Sequence, residues 1–175
     1  IGDRRQRQMC IRDRSMGLMM CQNSSHFKKA YDNKLNKETY WEHTYEDALD
    51  IFAKIPLIAS TFYRRKYFND MHDLPHYDEN KDYSENLCNM MGYGENKELH
   101  DYMRLYLSIH SDHEGGNASA HTSHLVNSTL ADPYISIASG INALSGPLHG
   151  SANSEVLKWL LDLKHHLKDL SLIHI

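Results

Sequence analysis

SIHSDHEGGNASAHTSHLVNSTLADPYISIASGINALSGPLHGSANSEVLKWL, residues 108–160, is the most informative stretch of the sequence. Glycine and proline break it at residues 115–116, 132–133 and 146–150, where these residue types favour turns. Between the breaks, apolar residues recur at helical spacing, and the sustained apolar/polar alternation typical of strands does not occur anywhere in the sequence. The chain is therefore predicted to be all-α.

Three helices are expected in this stretch. Residues 119–131 form a short helix that ends at Asp132-Pro133. Residues 133–146 carry apolar or small side chains on every side, which is typical of a buried helix. The last helix starts after Gly150, where Ser151, Asn153 or Ser154 can cap it and Glu155 suits the helix dipole in the first turn. Its apolar stripe consists of Val156, Trp159, Leu160, Leu163, Leu167 and Leu170.

Upstream, the region from Tyr40 to Tyr63 also has helical spacing, and Pro56 should kink or divide that helix. Its apolar residues are expected to form one buried face. Residues 69–84 are polar, contain a proline and predict a long surface loop. A further helix follows, up to the break at residues 114–117. The buried face of the first helix is Ala48, Ile51, Phe52, Ile55, Ile58, Ala59 and Phe62; the second helix places Leu99, Tyr102, Met103, Tyr106 and Ile109 on one face.

Composition excludes several classes of protein. The chain has 175 residues, 41% of them hydrophobic, which suffices for a domain with a core. With 19 basic and 23 acidic residues and a net charge of -4, it lacks the basic stripe of a nucleic-acid binder. No apolar run approaches the ~20 residues that cross a bilayer. The three cysteines, widely spaced, predict reduced thiols.

The two ends differ from the middle. Residues 1–14 hold five arginines and two aspartates, without an apolar stripe or a signal-type apolar core. We expect residues 1–14 and 172–175 to be non-native, adapter-like sequence. The remaining boundaries are placed by the family resemblance described below.

The sequence has 13 histidines, and four of them fall between residues 110 and 124. Such histidines can be ordinary core or capping residues. A second interpretation is a metal site, because HxxH occurs twice and histidines three residues apart share a helix face. A third is a polar substrate pocket. The four candidates are His110, His113, His121 and His124.

The pocket interpretation rests on His113 and Asn117. His113 lies between two carboxylates and just before the Gly115-Gly116 pair, which lets the backbone approach a ligand closely. The side chains of His113 and Asn117 can each donate a hydrogen bond to carbonyl or carboxylate oxygens. A small polar ligand would suit this loop.

His149 stands between two glycines, just before a predicted helix start. Backbone amides at a helix start disfavour an imidazolium, so a neutral ring is expected there. A neutral imidazole N–H is a good electrophile for a developing enolate oxygen. The alternative is a glycine turn that carries an incidental histidine.

Taken together, residues 108–160 closely resemble citrate synthases of the eukaryotic, mitochondrial type. Further agreement comes from YWEHTYEDALDIFAKIP starting at Tyr40, FYRRKY starting at Phe62, and ENLCNMMGY starting at Glu85. The resemblance runs from about Ser15 to about Ser171. It implies a multi-helical fold in which residues 15–150 are part of a large domain and residues 151–171 start a small domain.

The resemblance also implies an activity. The family, an acyltransferase of the tricarboxylic acid cycle, joins acetyl-CoA to oxaloacetate and water, giving citrate and CoA, on a homodimer. In its GPLHG motif the histidine stabilises the enol of acetyl-CoA, and here that residue is His149. The SDHEGGN motif binds oxaloacetate, which implies that role for His113 and Asn117. A basic residue before YWE contacts CoA phosphates in some members, and Lys37 stands there.

The sequence also departs from the family pattern. A second catalytic histidine in a GYGH motif and a later catalytic aspartate do not occur in these 175 residues. The chain is therefore expected to be an inactive fragment of the enzyme. A 2-methylcitrate synthase, which takes propionyl-CoA, and a non-catalytic metal-binding helical module are the alternatives.

The resemblance implies no permanently bound cofactor, with acetyl-CoA and CoA as substrate and product. It implies a location in the mitochondrial matrix, and neither nucleic acid nor membrane is an expected partner.

Overall fold

The computed structural model describes residues 2–68, 74–112, 114–146 and 148–168. Within these residues the regular elements are helices and no strand occurs, which confirms the all-α prediction. Two short 3₁₀ turns, Gln22–Ser24 and Lys37–Thr39, flank the second helix. The α-helices are α1 (Gly2–Met20), α2 (His26–Asp32), α3 (Tyr40–Tyr67), α4 (Tyr83–Met90), α5 (Lys97–His110), α6 (Ala118–Asn127), α7 (Pro133–Ala143) and α8 (Ala152–Lys168).

The core forms around α7, which packs against α1, α3 and α6. Its Tyr134 is 0% exposed and meets Leu18 of α1 and Ile51 of α3. Asp132 caps α7 by accepting a hydrogen bond from Ile135 N at 3.1 Å, and Pro133 takes the first helical position, where its missing N–H costs nothing. The prediction of a buried helix here is confirmed.

Helix α3 is continuous through Pro56, so the proline does not divide the helix, and the alternative of a kink stays a prediction. Proline has no N–H, which leaves the carbonyl oxygen four residues earlier, on Phe52, without its helical donor. The hydroxyl of Tyr83 in α4 donates to that oxygen at 3.2 Å. The ring of Tyr83 also stacks on the Phe52 ring with centroids 4.4 Å apart. A side chain from a neighbouring helix thus replaces the lost backbone donor.

The predicted buried face of α3 is confirmed only in part, and Ile58 packs partly buried against the core. Ile51 is buried at 2% exposure, but Phe52 is 57% and Ile55 is 39% exposed. Helices α1, α2 and α7 cover one side of α3. The other side opens on a cavity of about 940 Å³ that is bounded by α4 and residues 74–77. Helical periodicity identifies apolar positions, but only neighbouring helices determine which of them are covered.

The predicted loop at residues 69–84 ends two residues early, because α4 begins at Tyr83; residues 69–73 lie outside the described part. A capping box explains the start: Asp82 accepts from Glu85 N at 2.9 Å, and Glu85 accepts from Asp82 N at 3.1 Å. The Glu85 amide and Arg104 of α5 lower the pKa of the Asp82 carboxyl. Arg104 Nη2 lies 2.6 Å from Asp82, which joins α5 to the start of α4.

The segment predicted as a helix over residues 119–131 is helical only to Asn127. Turn residues follow, and Leu130 adopts a positive φ of 65° before the Asp132 cap.

Helix α8 starts at Ala152 with Glu155 in its first turn, as expected, and Glu155 pairs with Lys158 at 2.9 Å. Its predicted apolar face is solvent-exposed as far as residue 163; the side chains of residues 167 and 170 lie outside the described part.

The described helices include none with the length and hydropathy needed to cross a bilayer. Helix α1 runs through the predicted boundary between residues 14 and 15. This boundary stays a prediction, and so does the boundary between residues 150 and 151. The proposed tail at residues 172–175 lies outside the described part of the chain and also stays a prediction.

Ser60 of α3 provides a stability prediction. It is 0% exposed, and its hydroxyl has no hydrogen-bond partner among the described residues. A buried hydroxyl without a partner costs about 1–3 kcal/mol. Ser60→Ala is therefore expected to raise the free energy of unfolding by about 1 kcal/mol, measured by urea denaturation.

The matched control is Ser136→Ala in α7. Ser136 is buried like Ser60, but its hydroxyl donates to Asp132 O at 2.9 Å, so its loss should lower the free energy of unfolding. Equal destabilisation by the two substitutions would contradict the prediction.

Candidate functional site

His149 lies in the turn between α7 and α8. Its backbone N–H donates to Gly146 O at 3.2 Å, and its side chain is half-buried. Gly150 has a positive φ of 68°, and a Cβ there would lie 2.9 Å from Leu144 O. Glycine is therefore required beside His149, both for the backbone conformation and for space.

The imidazole ring of His149 is held by a hydroxyl. Its Nε2 lies 2.7 Å from Oγ of Ser119, in the first turn of α6. When the hydroxyl donates to Nε2, the neutral ring carries its proton on Nδ1. No hydrogen bond to Nδ1 is found within the described residues, so an Nδ1–H is available to a ligand. In that tautomer, the arrangement provides an oriented hydrogen-bond donor.

Asn117, predicted to bind a substrate, is the N-cap of α6. Its Oδ1 accepts from Ala120 N at 3.0 Å, and its Nδ2 donates to Glu114 O at 2.7 Å. An amide NH₂ group has two N–H bonds, so one of them remains for a ligand. The cap fixes the side chain two residues from Ser119, which places Asn117 and the Ser119–His149 pair at the same end of α6.

Of the other two predicted site residues, only Lys37 is among the described residues. His113 lies outside the described residues. Lys37 is exposed at the start of the 3₁₀ turn Lys37–Thr39, which packs against α3. The roles suggested for both stay predictions.

The metal-site interpretation gains no support. Within the described part of the chain, histidine, cysteine, aspartate and glutamate side chains do not form a group of three that could hold an ion. His110 has a local structural role: its Nδ1 lies 2.8 Å from Tyr106 O, and the two rings stack with centroids 4.0 Å apart. His113, one of the four candidates, lies outside the described residues.

A second polar cluster connects α3 to α7. Lys54 Nζ lies 2.9 Å from Asp50 and donates to Tyr134 Oη at 2.8 Å. The hydrogen bond from Lys54 lowers the pKa of Asp50. Burial lowers the pKa of Lys54, but its hydrogen bonds to Tyr134 and Asp50 outweigh this effect and raise it. The cluster satisfies the hydroxyl of the most buried tyrosine, so it holds the core together.

Ser119 is a site residue that the sequence alone does not indicate. Serine is common near helix starts, and no local pattern connects it to a histidine 30 positions later. Only the packing of the turn at Gly146–Gly150 against α6 reveals the pair.

The chain is similar to known proteins in both sequence and structure. Residues 7–171 match the family model described as citrate synthase, C-terminal domain. A solved citrate synthase from Pyrobaculum aerophilum superposes with a TM-score of 0.70 at 28% identity, covering 90% of this chain and 41% of that one.

Curated relatives are more similar in sequence. The mitochondrial citrate synthase of Saccharomyces cerevisiae is 50% identical over 154 residues, covering 88% of this chain and 32% of that protein. The mitochondrial 2-methylcitrate synthase of Yarrowia lipolytica is 50% identical over 82% of this chain and 30% of its own length. The peroxisomal citrate synthase of S. cerevisiae is 49% identical over 89% of this chain and 33% of its own length. The chain thus spans about a third of the length of these relatives.

Proposed function

This chain belongs to the citrate synthase family, and we propose that it contributes the enol-stabilising part of an active site that condenses acetyl-CoA with oxaloacetate and water to give citrate and CoA. The observation that carries the proposal is the His149 ring, oriented by Ser119 at 2.7 Å. A fixed donor suits a reaction in which negative charge develops on a carbonyl oxygen.

In the proposed reaction, a base takes a proton from the methyl group of acetyl-CoA. The electron pair of the broken C–H bond forms a C=C bond, and the carbonyl π pair moves onto the thioester oxygen, where Nδ1–H of His149 donates a hydrogen bond. The enolate carbon then forms a bond to the keto carbon of oxaloacetate, whose oxygen takes up a proton. Water then cleaves the thioester and releases CoA. By resemblance, the base is an aspartate that these 175 residues do not contain.

His113 and Asn117 are proposed to bind oxaloacetate. Asn117 supports this assignment because its capped side chain keeps one N–H at the same end of α6 as Ser119. Lys37 is proposed to contact CoA phosphates. Acetyl-CoA and CoA act as substrate and product in this scheme, without a permanently bound cofactor.

A homodimer in the mitochondrial matrix is the proposed setting. Mitochondrial relatives support this location, and the peroxisomal relative makes peroxisomes the alternative.

A chimera tests the proposed function. The matching segment of the S. cerevisiae mitochondrial enzyme is replaced by this chain, so that the recipient supplies the base. The chimera is expected to release CoA from acetyl-CoA and oxaloacetate, whereas the isolated 175-residue chain should not exceed background. Without general acid-base help, a loss of about 10²- to 10⁴-fold is expected from that effect alone. A folded, dimeric chimera that releases no CoA would contradict the proposal.

A 2-methylcitrate synthase is the second candidate, because the Y. lipolytica relative is 50% identical. The two acyl substrates differ by one methylene, worth about 1–3 kcal/mol in a pocket. Comparing kcat/KM of the chimera for acetyl-CoA and propionyl-CoA distinguishes them. We expect acetyl-CoA to be preferred. The same recipient carrying the Y. lipolytica segment is the control that shows whether this segment affects the preference.

A further inference from the structure

Helices α6 and α7 approach each other closely at Gly140. A Cβ on Gly140 would lie 2.2 Å from Ser123 Oγ and 2.9 Å from Ser119 O. Carbon and oxygen atoms that are not bonded stay more than about 3 Å apart, so a side chain at this position would force one helix to move. Gly140 is within a regular helix and has no positive φ, so glycine is needed here for space and not for backbone conformation.

Ser119 is one of the two α6 residues that face Gly140 at this contact. Its carbonyl oxygen faces Gly140 and also accepts a hydrogen bond from Ser123 Oγ at 3.0 Å. Its side-chain hydroxyl lies 2.7 Å from Nε2 of His149. The backbone of Ser119 is thus located by α7, and its side chain locates the imidazole ring. Any movement of the first turn of α6 is passed on to His149.

We infer that Gly140 is a positioning residue for His149, acting through the Ser119 turn of α6. The inference rests on the proposed function, in which His149 donates to the developing enolate oxygen. Gly140 acts indirectly in this scheme. The absence of its side chain keeps α6 close to α7, and this distance sets where the Ser119 hydroxyl meets the imidazole.

The geometry predicts that a larger side chain at position 140 weakens the Ser119–His149 hydrogen bond more than a smaller one. The Ser123 hydroxyl can rotate away from a new methyl group, because it is the end of a side chain. The Ser119 carbonyl belongs to the backbone and can move only with its helical turn. A hydrogen bond of 2.7 Å weakens steeply as its atoms separate or its angle changes. Alanine should therefore weaken the Ser119–His149 hydrogen bond, and valine should break it.

The experiment measures the His149 ring directly. The 175-residue chain is labelled with ¹⁵N-histidine, and the ring nitrogen signals of His149 are identified by their loss in His149→Ala. Ser119→Ala shows the chemical shift of Nε2 without its hydroxyl partner. Gly140→Ala is expected to move the Nε2 signal about a third of the way to that value or more, and Gly140→Val to move it fully.

Gly17→Ala is the matched control. Gly17 is also a helical glycine at a helix–helix contact, where a Cβ would lie 3.1 Å from Ile58 Cγ2, the end of a side chain. This substitution can change the melting temperature, but it should leave the His149 signals in place. A positioning role is thereby separated from general destabilisation.

Unchanged His149 signals in Gly140→Ala would overturn the inference, as would an equal displacement in Gly17→Ala. If Gly140→Val does not fold, Gly140→Ala alone decides the outcome. The ¹⁵N measurement needs no substrate, so its result tests the inference even if the chimera releases no CoA. In an active chimera, Gly140→Ala should lower kcat for CoA release.

Discussion

His149→Ala in the chimera is expected to lower kcat for CoA release by about 10²- to 10³-fold, because one preorganised donor to a developing oxyanion contributes about that much. The substitution removes the Nδ1–H donor and leaves the Ser119 hydroxyl facing an empty space. Initial rates of CoA release from acetyl-CoA and oxaloacetate provide the measurement. KM should change much less than kcat, since the interaction is formed mainly in the transition state.

The control for this prediction is His166→Ala. His166 is an exposed histidine on α8, and its Nδ1 lies 2.7 Å from the carbonyl oxygen of Asp162, within the same helix. Its removal should leave kcat within about twofold. A loss in His149→Ala smaller than about tenfold would contradict the proposed role, because a preorganised donor to a developing oxyanion is worth about 10²- to 10³-fold.

Asp47→Ala is expected to lower the free energy of unfolding by about 3 kcal/mol, a large share of the stability of a domain this size. Asp47 is 0% exposed. Its carboxyl oxygens accept from Ser25 Oγ at 2.6 Å, His26 N at 2.6 Å and Phe27 N at 3.1 Å. These donors lie at the start of α2, so alanine leaves them unpaired at a helix N-terminus. Urea denaturation followed by circular dichroism measures the loss.

Asp32→Ala provides the matched comparison. Asp32 is also an aspartate of the α2–α3 region, but it is exposed and pairs with Lys28 at 2.9 Å across one helical turn. An exposed pair of this kind contributes about 0.3–0.5 kcal/mol. Equal urea midpoints for Asp47→Ala and Asp32→Ala would contradict the prediction that the buried hydrogen bonds of Asp47 stabilise the fold more than the exposed ion pair of Asp32.

Several features of the fold were predictable because they depend on neighbours along the chain. Residues 133–146 lack a polar face, and α7 is buried as expected. Asp132-Pro133 predicted a helix boundary, and Asp132 caps α7 there. Glu155 was expected in the first turn of the last helix and lies there. Caps, glycines and helical periodicity all act within about one helical turn, so the sequence shows them directly.

Other features depended on which helices become neighbours. The apolar positions of α3 were recognised, yet Ile55 is exposed, and so is Phe52, which lines the cavity beside α4. Pro56 was expected to be able to divide α3, but the hydroxyl of Tyr83 reaches the Phe52 carbonyl at 3.2 Å and supplies a donor. Both differences arise from contacts between residues far apart in the sequence.

The candidate site also has some features that depend on nearby residues in the sequence and others that depend on which helices meet. By itself, the sequence determined the helical class, the turn that carries His149, and the family resemblance, because these follow from residue types at short spacing. Only the tertiary structure decided that Ser119 holds the His149 ring and that Gly140 lets α7 touch the Ser119 turn. Such contacts require two helices to meet at a given distance. That distance depends on packing over the whole core, which no short stretch of sequence contains.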